Sequence, residues 1–406
     1  MPDIETPSVS RRELLRRDLV PLNPGRRDFV IKSGAALAGL SLLQACGAAE
    51  AFPSRPGEKV LPWADQPPEN PIPQVVANQL RWEDFDSWIT PNAKFFSVAH
   101  YDRPVIDEKA WRLEIGGLVK HPMTLSLTDL KRRPRQEVDF TVECSGNHGF
   151  PWFQGGIGTA HWAGTPLARL LKEAGPQREA IEVVFFGADS GEETVREIKM
   201  QQHFARSMTM EDALKSDNLL CYEMNGAPLP AANGAPLRLI APGWYGIANV
   251  KWLTRIELRD RRLMNRFMAR DYVTIREETH DGESVWAETS VGPARIKSAP
   301  AKVTVLNGSH RIIGAAWGAD IAGIEVRVDD GPWRPAMIEK SMDSSAYTWK
   351  VWSMDWADAT TGDHTITSRA IAKSGEMQPA MDDSVIANKR TYWESNGYVT
   401  RHVRVA

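Results

Sequence analysis

Cysteine is scarce in this chain, with three in 406 residues, at Cys46, Cys144 and Cys221. That leaves no Cys-x-x-Cys-His haem attachment, no iron–sulfur ligand set and no disulfide framework. A His-Pro-Gly-Gly haem-domain signature is also missing, as are a dinucleotide fingerprint and a phosphate-cradling Walker loop, which excludes the common nicotinamide and NTPase designs. Charge of one sign is lacking too. The net charge is −3 and no basic patch stands out beyond the N-terminus, so nucleic acid is not an expected partner. There is no internal repeat and no low-complexity array. What remains is globular composition, 42% hydrophobic and 25% charged, in enough chain for two domains and an N-terminal extra.

The first 51 residues read as an export signal. Arg26-Arg27 are followed by Asp28, Phe29 and Lys32, then by an apolar run over 35–43 that is too short for a permanent membrane helix and ends in small residues. This is the twin-arginine pattern, and it implies a periplasmic protein that folds before export. Two exits are open: cleavage after Ala49-Glu50-Ala51, or a lipoprotein box with Cys46 as the lipidated residue, the one route to membrane attachment.

The chain is organised around Val142-Glu143-Cys144-Ser145-Gly146-Asn147-His148-Gly149. A strand-like run, 138–141, leads into a single thiol, and the two glycines let the backbone pass close to a bound group. From these residues alone the thiol reads equally as an inert core cysteine. Cys221, among Leu219, Leu220 and Tyr222, reads as the buried kind.

Residues 52–80 are proline-rich and read as an extended lead-in. Strands are expected over 94–100, 111–115, 181–186, 219–224, 236–243 and 250–258, and helices over 125–131, capped by Ser126 or Thr128, 166–173 and 211–215. The strand from 181 should stop at Gly187-Ala188-Asp189-Ser190. Short strands without βαβ alternation make this part α+β. After about residue 283, strands over 301–306, 311–317, 324–328, 347–352 and 364–372 have the spacing of a β-sandwich, with a turn at Asp329-Asp330-Gly331. Trp317, Trp333, Trp349, Trp352 and Trp356 read as core and interface residues.

Several ordered motifs together resemble the molybdenum-pterin enzymes of the sulfite oxidase type, which include bacterial sulfite dehydrogenases and sulfane dehydrogenase subunits. They are Glu143 to Asn147, Gly158 to Gly164, Tyr222 to Gly226, Arg238 to Gly243 and Asn249 to Leu253. The resemblance implies a sulfite-oxidase-type molybdopterin-binding domain over 81–282. An immunoglobulin-like domain over 283–406 would follow and make a homodimer. It implies that Cys144 is the thiolate that joins molybdenum to the protein, a soft anionic ligand suited to a highly charged metal. Phe96, His100, Asp189, Asn233, Arg238, Asn249 and Lys251 match positions that hold the pterin and its phosphate. Tyr272 matches a tyrosine beside the metal, Arg390 an arginine that reaches the anionic substrate, and Trp152 an aromatic wall of that pocket.

Departures are concentrated at the substrate. Val98 stands where the family keeps an arginine, Gly149 and His148 where it keeps two more cations, and Asn233 where it keeps a histidine of the pterin site. The implied activity is oxygen-atom transfer at the sulfur of a small oxyanion, sulfite or a relative. The electrons then pass to a separate acceptor, a c-type cytochrome. A sulfoxide reductase or a dehydrogenase of protein-bound sulfane sulfur is the alternative within enzymes. Outside them stands an exported binding protein that has lost its cofactor.

Overall fold

The computed structural model describes residues 52–341 and 345–406. The twin-arginine segment and Cys46 lie outside the described residues. Residues 52–406 form one compact unit.

Two five-stranded sheets build the part that precedes residue 270. One runs Ala227–Pro228, Leu219–Met224, Ile157–Pro166 and Gln136–Glu143, with Arg238–Ile240 paired to Leu219–Met224. The other runs Met123–Leu125, Leu113–Gly117, Leu253–Arg259, Glu182–Val195 and Ile198–Thr209, with its second and third strands parallel. Helix Leu127–Lys131 starts at Ser126, whose hydroxyl accepts from the Asp129 amide while the Asp129 carboxylate accepts from the Ser126 amide. Helix Leu167–Ala174 buries Leu167, Leu170 and Leu171 and ends at Gly175, whose φ of 67° closes the last turn.

The strand expected to stop at Gly187 does not stop. It continues as Glu182–Val195, turns at Arg196-Glu197 and returns as Ile198–Thr209. A register shift between Phe186 and Ser190 absorbs the residues that read as a terminator. The run 94–100 is also shorter than expected: a 3-10 turn, Asn92–Lys94, precedes a strand of only Ser97–Val98.

The later residues form two sheets that share one core. Lys59–Leu61, Lys297–Leu306, Ser309–Trp317, Lys350–Trp356 and Met337–Ile338 make one, and Arg334–Pro335, Ile321–Val328, Gly362–Ala372 and Val399–Val405 the other. Val303, Ile312 and Trp352 of the first pack with Ile324, Val326, Ile366 and Val403 of the second. Asp329, with φ of 51°, turns the chain between Ile321–Val328 and Arg334–Pro335 as expected. Trp317, Trp349, Trp352 and Trp356 are buried, whereas Trp333 is half-exposed beneath Arg327 and Arg369. Residue 283 begins the second arm of a hairpin, Val273–His280 with Glu283–Ser290.

The proline-rich lead-in is part of this later core. Its strand Lys59–Leu61 pairs with Lys297–Leu306, and Trp63 is 2% exposed with its indole N–H bonded to the Ala301 carbonyl at 2.9 Å. Trp63→Ala should therefore lower stability by about 3 kcal/mol or more, the usual cost of removing a buried large aromatic. The midpoint of urea unfolding measures it, and an unchanged midpoint would mean that the lead-in packs on nothing.

Candidate active site

Strand Gln136–Glu143 is paired along its whole length with Ile157–Pro166, so the residue after it is delivered to a fixed place. That residue is Cys144. Its amide donates to the Gly156 carbonyl at 2.8 Å, and its carbonyl accepts from the Asn147 amide at 2.9 Å. The Asn147 side chain accepts from the Gly156 amide at 3.0 Å, which closes the turn onto the neighbouring strand. Burial pushes the thiol up to about 12, with the Glu143 carboxylate adding to the effect. Such a thiol stays protonated until a cation binds it.

Cys144 lines a pocket with Phe96, His100, Asp189, Asn233, Arg238, Asn249, Lys251 and Tyr272. Those are all but two of the residues expected at the site. Arg238 is held by the carbonyls of Asn233, at 2.9 Å, and Asn249, at 3.1 Å. The Asn249 side chain is spent on the backbone, accepting from the Ala241 amide and donating to the Tyr245 carbonyl, so it shapes the loop. Lys251 donates to the Val98 carbonyl at 2.7 Å. Burial drops Lys251 to about 7, with Arg238 adding to the effect, and drops Arg238 to about 10. Asp189 is raised to about 6 by burial although Lys251 opposes it.

A second group in the same pocket is nearly uncharged. His100 Nε2 lies 2.6 Å from the Tyr272 hydroxyl, its ring stacks on Phe204 at 4.9 Å, and the Tyr272 ring stacks on Trp393 at 4.0 Å. Burial, reinforced by Lys251, lowers His100 to about 3, so the imidazole is neutral. Of its two tautomers, the one with the proton on Nε2 donates to Tyr272 and leaves the phenol proton free for something else. Arg206, buried and bonded to the carbonyls of Phe267 and Val291, also acts electrostatically on His100 and Tyr272. It sits in a five-residue buried stretch, Phe204–Met208, and an arginine in such a stretch was the one available signal for it.

Arg390 and Trp152 are not brought to the pocket lining. Arg390 is exposed, pairs with Glu277 at 3.6 Å and lies over the Trp286 ring, because its amide is tied to Ile275 on the outer hairpin. Trp152 is half-buried, stacks on Phe150 and Phe153 and is absent from the pocket lining. The substituted positions are equally plain. Val98 lines the pocket, whereas a Cβ on Gly149 would stand 2.1 Å from the Tyr392 carbonyl oxygen. His148 has φ of 61° and its ring lies by Trp82, away from the pocket.

A buried thiol, two cations that form no ion pair among the described residues, one buried and one half-buried, and an acid raised by burial define a site for an anionic, metal-bearing guest. The polar atoms left over fit one: Asp189 Oδ1 and Arg238 Nε are buried without a partner. The sequence comparisons agree on the class. The family profile described as "Oxidoreductase molybdopterin binding domain" matches residues 100–267, so this is a molybdopterin-binding oxidoreductase. Mitochondrial sulfite oxidase of Homo sapiens is 32% identical over 327 residues, 72% of this chain. The sulfite oxidase of Gallus gallus is 28% identical over 417 residues, 89% of this chain and 88% of that protein. The crystal structure of the sulfane dehydrogenase SoxCD from Paracoccus pantotrophus superposes with a TM-score of 0.70 at 25% identity, over 86% of this chain and 90% of that one. The chain belongs to the sulfite oxidase family, whose cofactor is molybdenum held by molybdopterin, and has that family's strand-rich fold. It spans 58% of the length of the human protein.

The depressed Lys251 predicts a pH signature. Between about 7 and 10.5 the unfolded chain holds a proton on this residue that the folded protein does not, so its contribution to stability rises with pH across that window. Lys251→Met should therefore raise the melting temperature of metal-free protein at about pH 6 and lose that advantage by about pH 10. A difference that did not vary with pH would mean that Lys251 is not buried in charged form.

Proposed function

We propose that this is an exported molybdenum-pterin oxidoreductase that oxidises sulfite or a sulfite-like compound and passes the electrons to a separate acceptor, a c-type cytochrome. The observation that carries the reading is the Cys144 thiol sharing one pocket with Lys251 and Arg238. When bound, the cofactor supplies two-electron oxygen-atom transfer at sulfur, so that sulfite gains an oxygen derived from water and releases two electrons and two protons. Cys144 would hold the metal as thiolate. Arg238 and Lys251 would hold the phosphate by charge-assisted bonds, and Phe96, His100, Asp189 and Asn233 would hold the pterin. Tyr272, with neutral His100 behind it, would place a phenol proton beside the reacting oxygen.

The same reading takes residues 1–51 as a twin-arginine signal and the protein as periplasmic, with Cys46 lipidation the route to a membrane. It takes 81–282 as the cofactor domain and 283–406 as an immunoglobulin-like, homodimerising domain. A second reading, a sulfoxide reductase or a dehydrogenase of protein-bound sulfane sulfur, has a specific observation behind it. Val98 puts an aliphatic side chain in the pocket, and Arg390 is engaged by Glu277 outside it.

Turnover of sulfite with an oxidised dye, set beside methionine sulfoxide with a reduced dye, decides between them: sulfite turnover is expected, and turnover of the sulfoxide alone would replace the first reading by the second. Cys144→Ser should abolish activity and molybdenum retention while leaving the far-UV spectrum unchanged. Val98→Arg should lower the KM for sulfite about tenfold or more, the worth of one charge-assisted contact. An unchanged KM would mean that residue 98 does not face the substrate.

A further inference from the structure

We infer that Lys297 is a positioning residue for the Cys144 sulfur: from a strand 154 residues further along the chain, it holds Glu143 and thereby the turn that presents the thiol. The inference rests on Cys144 being the cofactor's thiolate.

Glu143 directly precedes Cys144, and its carboxylate is almost wholly enclosed, as is the Lys297 ammonium, each 1% exposed. Three side chains donate to that carboxylate: Lys297 Nζ at 2.6 Å and Asn147 Nδ2 at 3.0 Å to one oxygen, Trp317 Nε1 at 2.7 Å to the other. Lys297 also reaches the Asn147 carbonyl at 3.4 Å, and Asn147 in turn accepts from the Gly156 amide at 3.0 Å. Residues on both sides of Cys144 are thus joined in one network, and two of its members, Lys297 and Trp317, stand opposite each other on the paired strands Lys297–Leu306 and Ser309–Trp317.

Stability alone is a poor account of this arrangement. Burying two charges is costly, and an apolar pair of similar volume often serves a fold as well or better. What an apolar pair cannot do is fix a direction. The turn after Cys144 has two glycines and no strand ladder of its own; its amides at Asn147 and Gly149 bond the carbonyls of Cys144 and Gly146, and directional bonds from outside aim the turn as a whole. The C-terminal segment adds one more, from the Glu394 amide to the Ser145 carbonyl at 2.8 Å. The network therefore gives the later sheets a part in the site that a dimer contact would not require.

The test uses the full-length chain as wild type, Lys297→Met, Lys297→Arg and Trp317→Phe. In metal-free protein, the alkylation rate of Cys144 by a small maleimide is mapped by mass spectrometry. In loaded protein, the molybdenum content and the EPR signal of the half-reduced metal are recorded. Lys297→Met should raise the alkylation rate about tenfold or more through local opening of the turn, and Trp317→Phe should raise it by a smaller factor. Both should alter the EPR signal, and Lys297→Arg should restore most of the wild-type behaviour. Should Lys297→Met fail to fold, Trp317→Phe carries the same test, since it removes one N–H and keeps a ring. A lower melting temperature with unchanged alkylation and an unchanged EPR signal would overturn the inference and leave Lys297 a structural residue. Absence of molybdenum from wild-type protein made with a working pterin pathway would instead sink the parent reading, and the alkylation arm would still decide whether Lys297 positions the thiol.

Discussion

Two cations that form no ion pair among the described residues, buried Arg238 and half-buried Lys251, set the terms for the rest of the pocket. Lys251 and Arg238 are both pulled down by burial within one lining, and Arg238 adds to the effect on Lys251. An enclosed charge with no opposite charge against it is costly, and the acid that acts on Lys251, Asp189, is itself pushed towards its neutral form. The surrounding backbone answers with dipoles. Carbonyls of Asn233, Asn249 and Val98 accept from the two side chains and hold them where an anion can complete the arrangement. The loop shape that makes this possible is in turn fixed by the Asn249 amide, which is bonded on both sides to backbone. An anionic guest that binds the folded protein and neutralises these cations would contribute to the stability of the folded state as well as to chemistry.

How much of this was legible depended on whether the signal was local. The cap at Ser126, one of the two expected for its helix, and the turn at Asp329 are contained in a few adjacent residues, and the structure has both. The pocket is not local. Its members come from segments spread between Phe96 and Tyr272, and motif order, not periodicity, brought them together before the structure did. Where a motif was followed without its surroundings, placement failed. Arg390 is drawn to Glu277 on a hairpin that no sequence pattern announced, and Trp152 into an aromatic stack. The outer half of the Glu182–Thr209 hairpin was hidden because glycine, aspartate and serine read as a stop, while a register shift accommodates them in a strand. Lys297 was hidden for a similar reason: a lysine beginning a run of small and apolar residues reads as a solvated end, and only its buried partner 154 positions earlier gives it a meaning.

The lining beside Cys144 has a different character from the lining around Lys251. Tyr272 is bonded to an imidazole that burial keeps neutral, and Phe204 and Trp393 cover their faces. The family's cation after the cysteine motif could not simply be regained, because the Tyr392 carbonyl occupies the space that a side chain on Gly149 would need. That replacement is a matter of backbone, not of one residue. Attraction for an anion in this pocket therefore arises chiefly from Lys251 and Arg238, the same groups that a phosphate-bearing guest would neutralise. On the proposed reading, a sulfur compound arriving after that guest would meet aromatic faces and a phenol in place of guanidinium groups. Selection among sulfur substrates would then rest on shape and on one or two hydrogen bonds, and a site of that kind would distinguish poorly by charge but well by the presence of an oxygen that Tyr272 could reach.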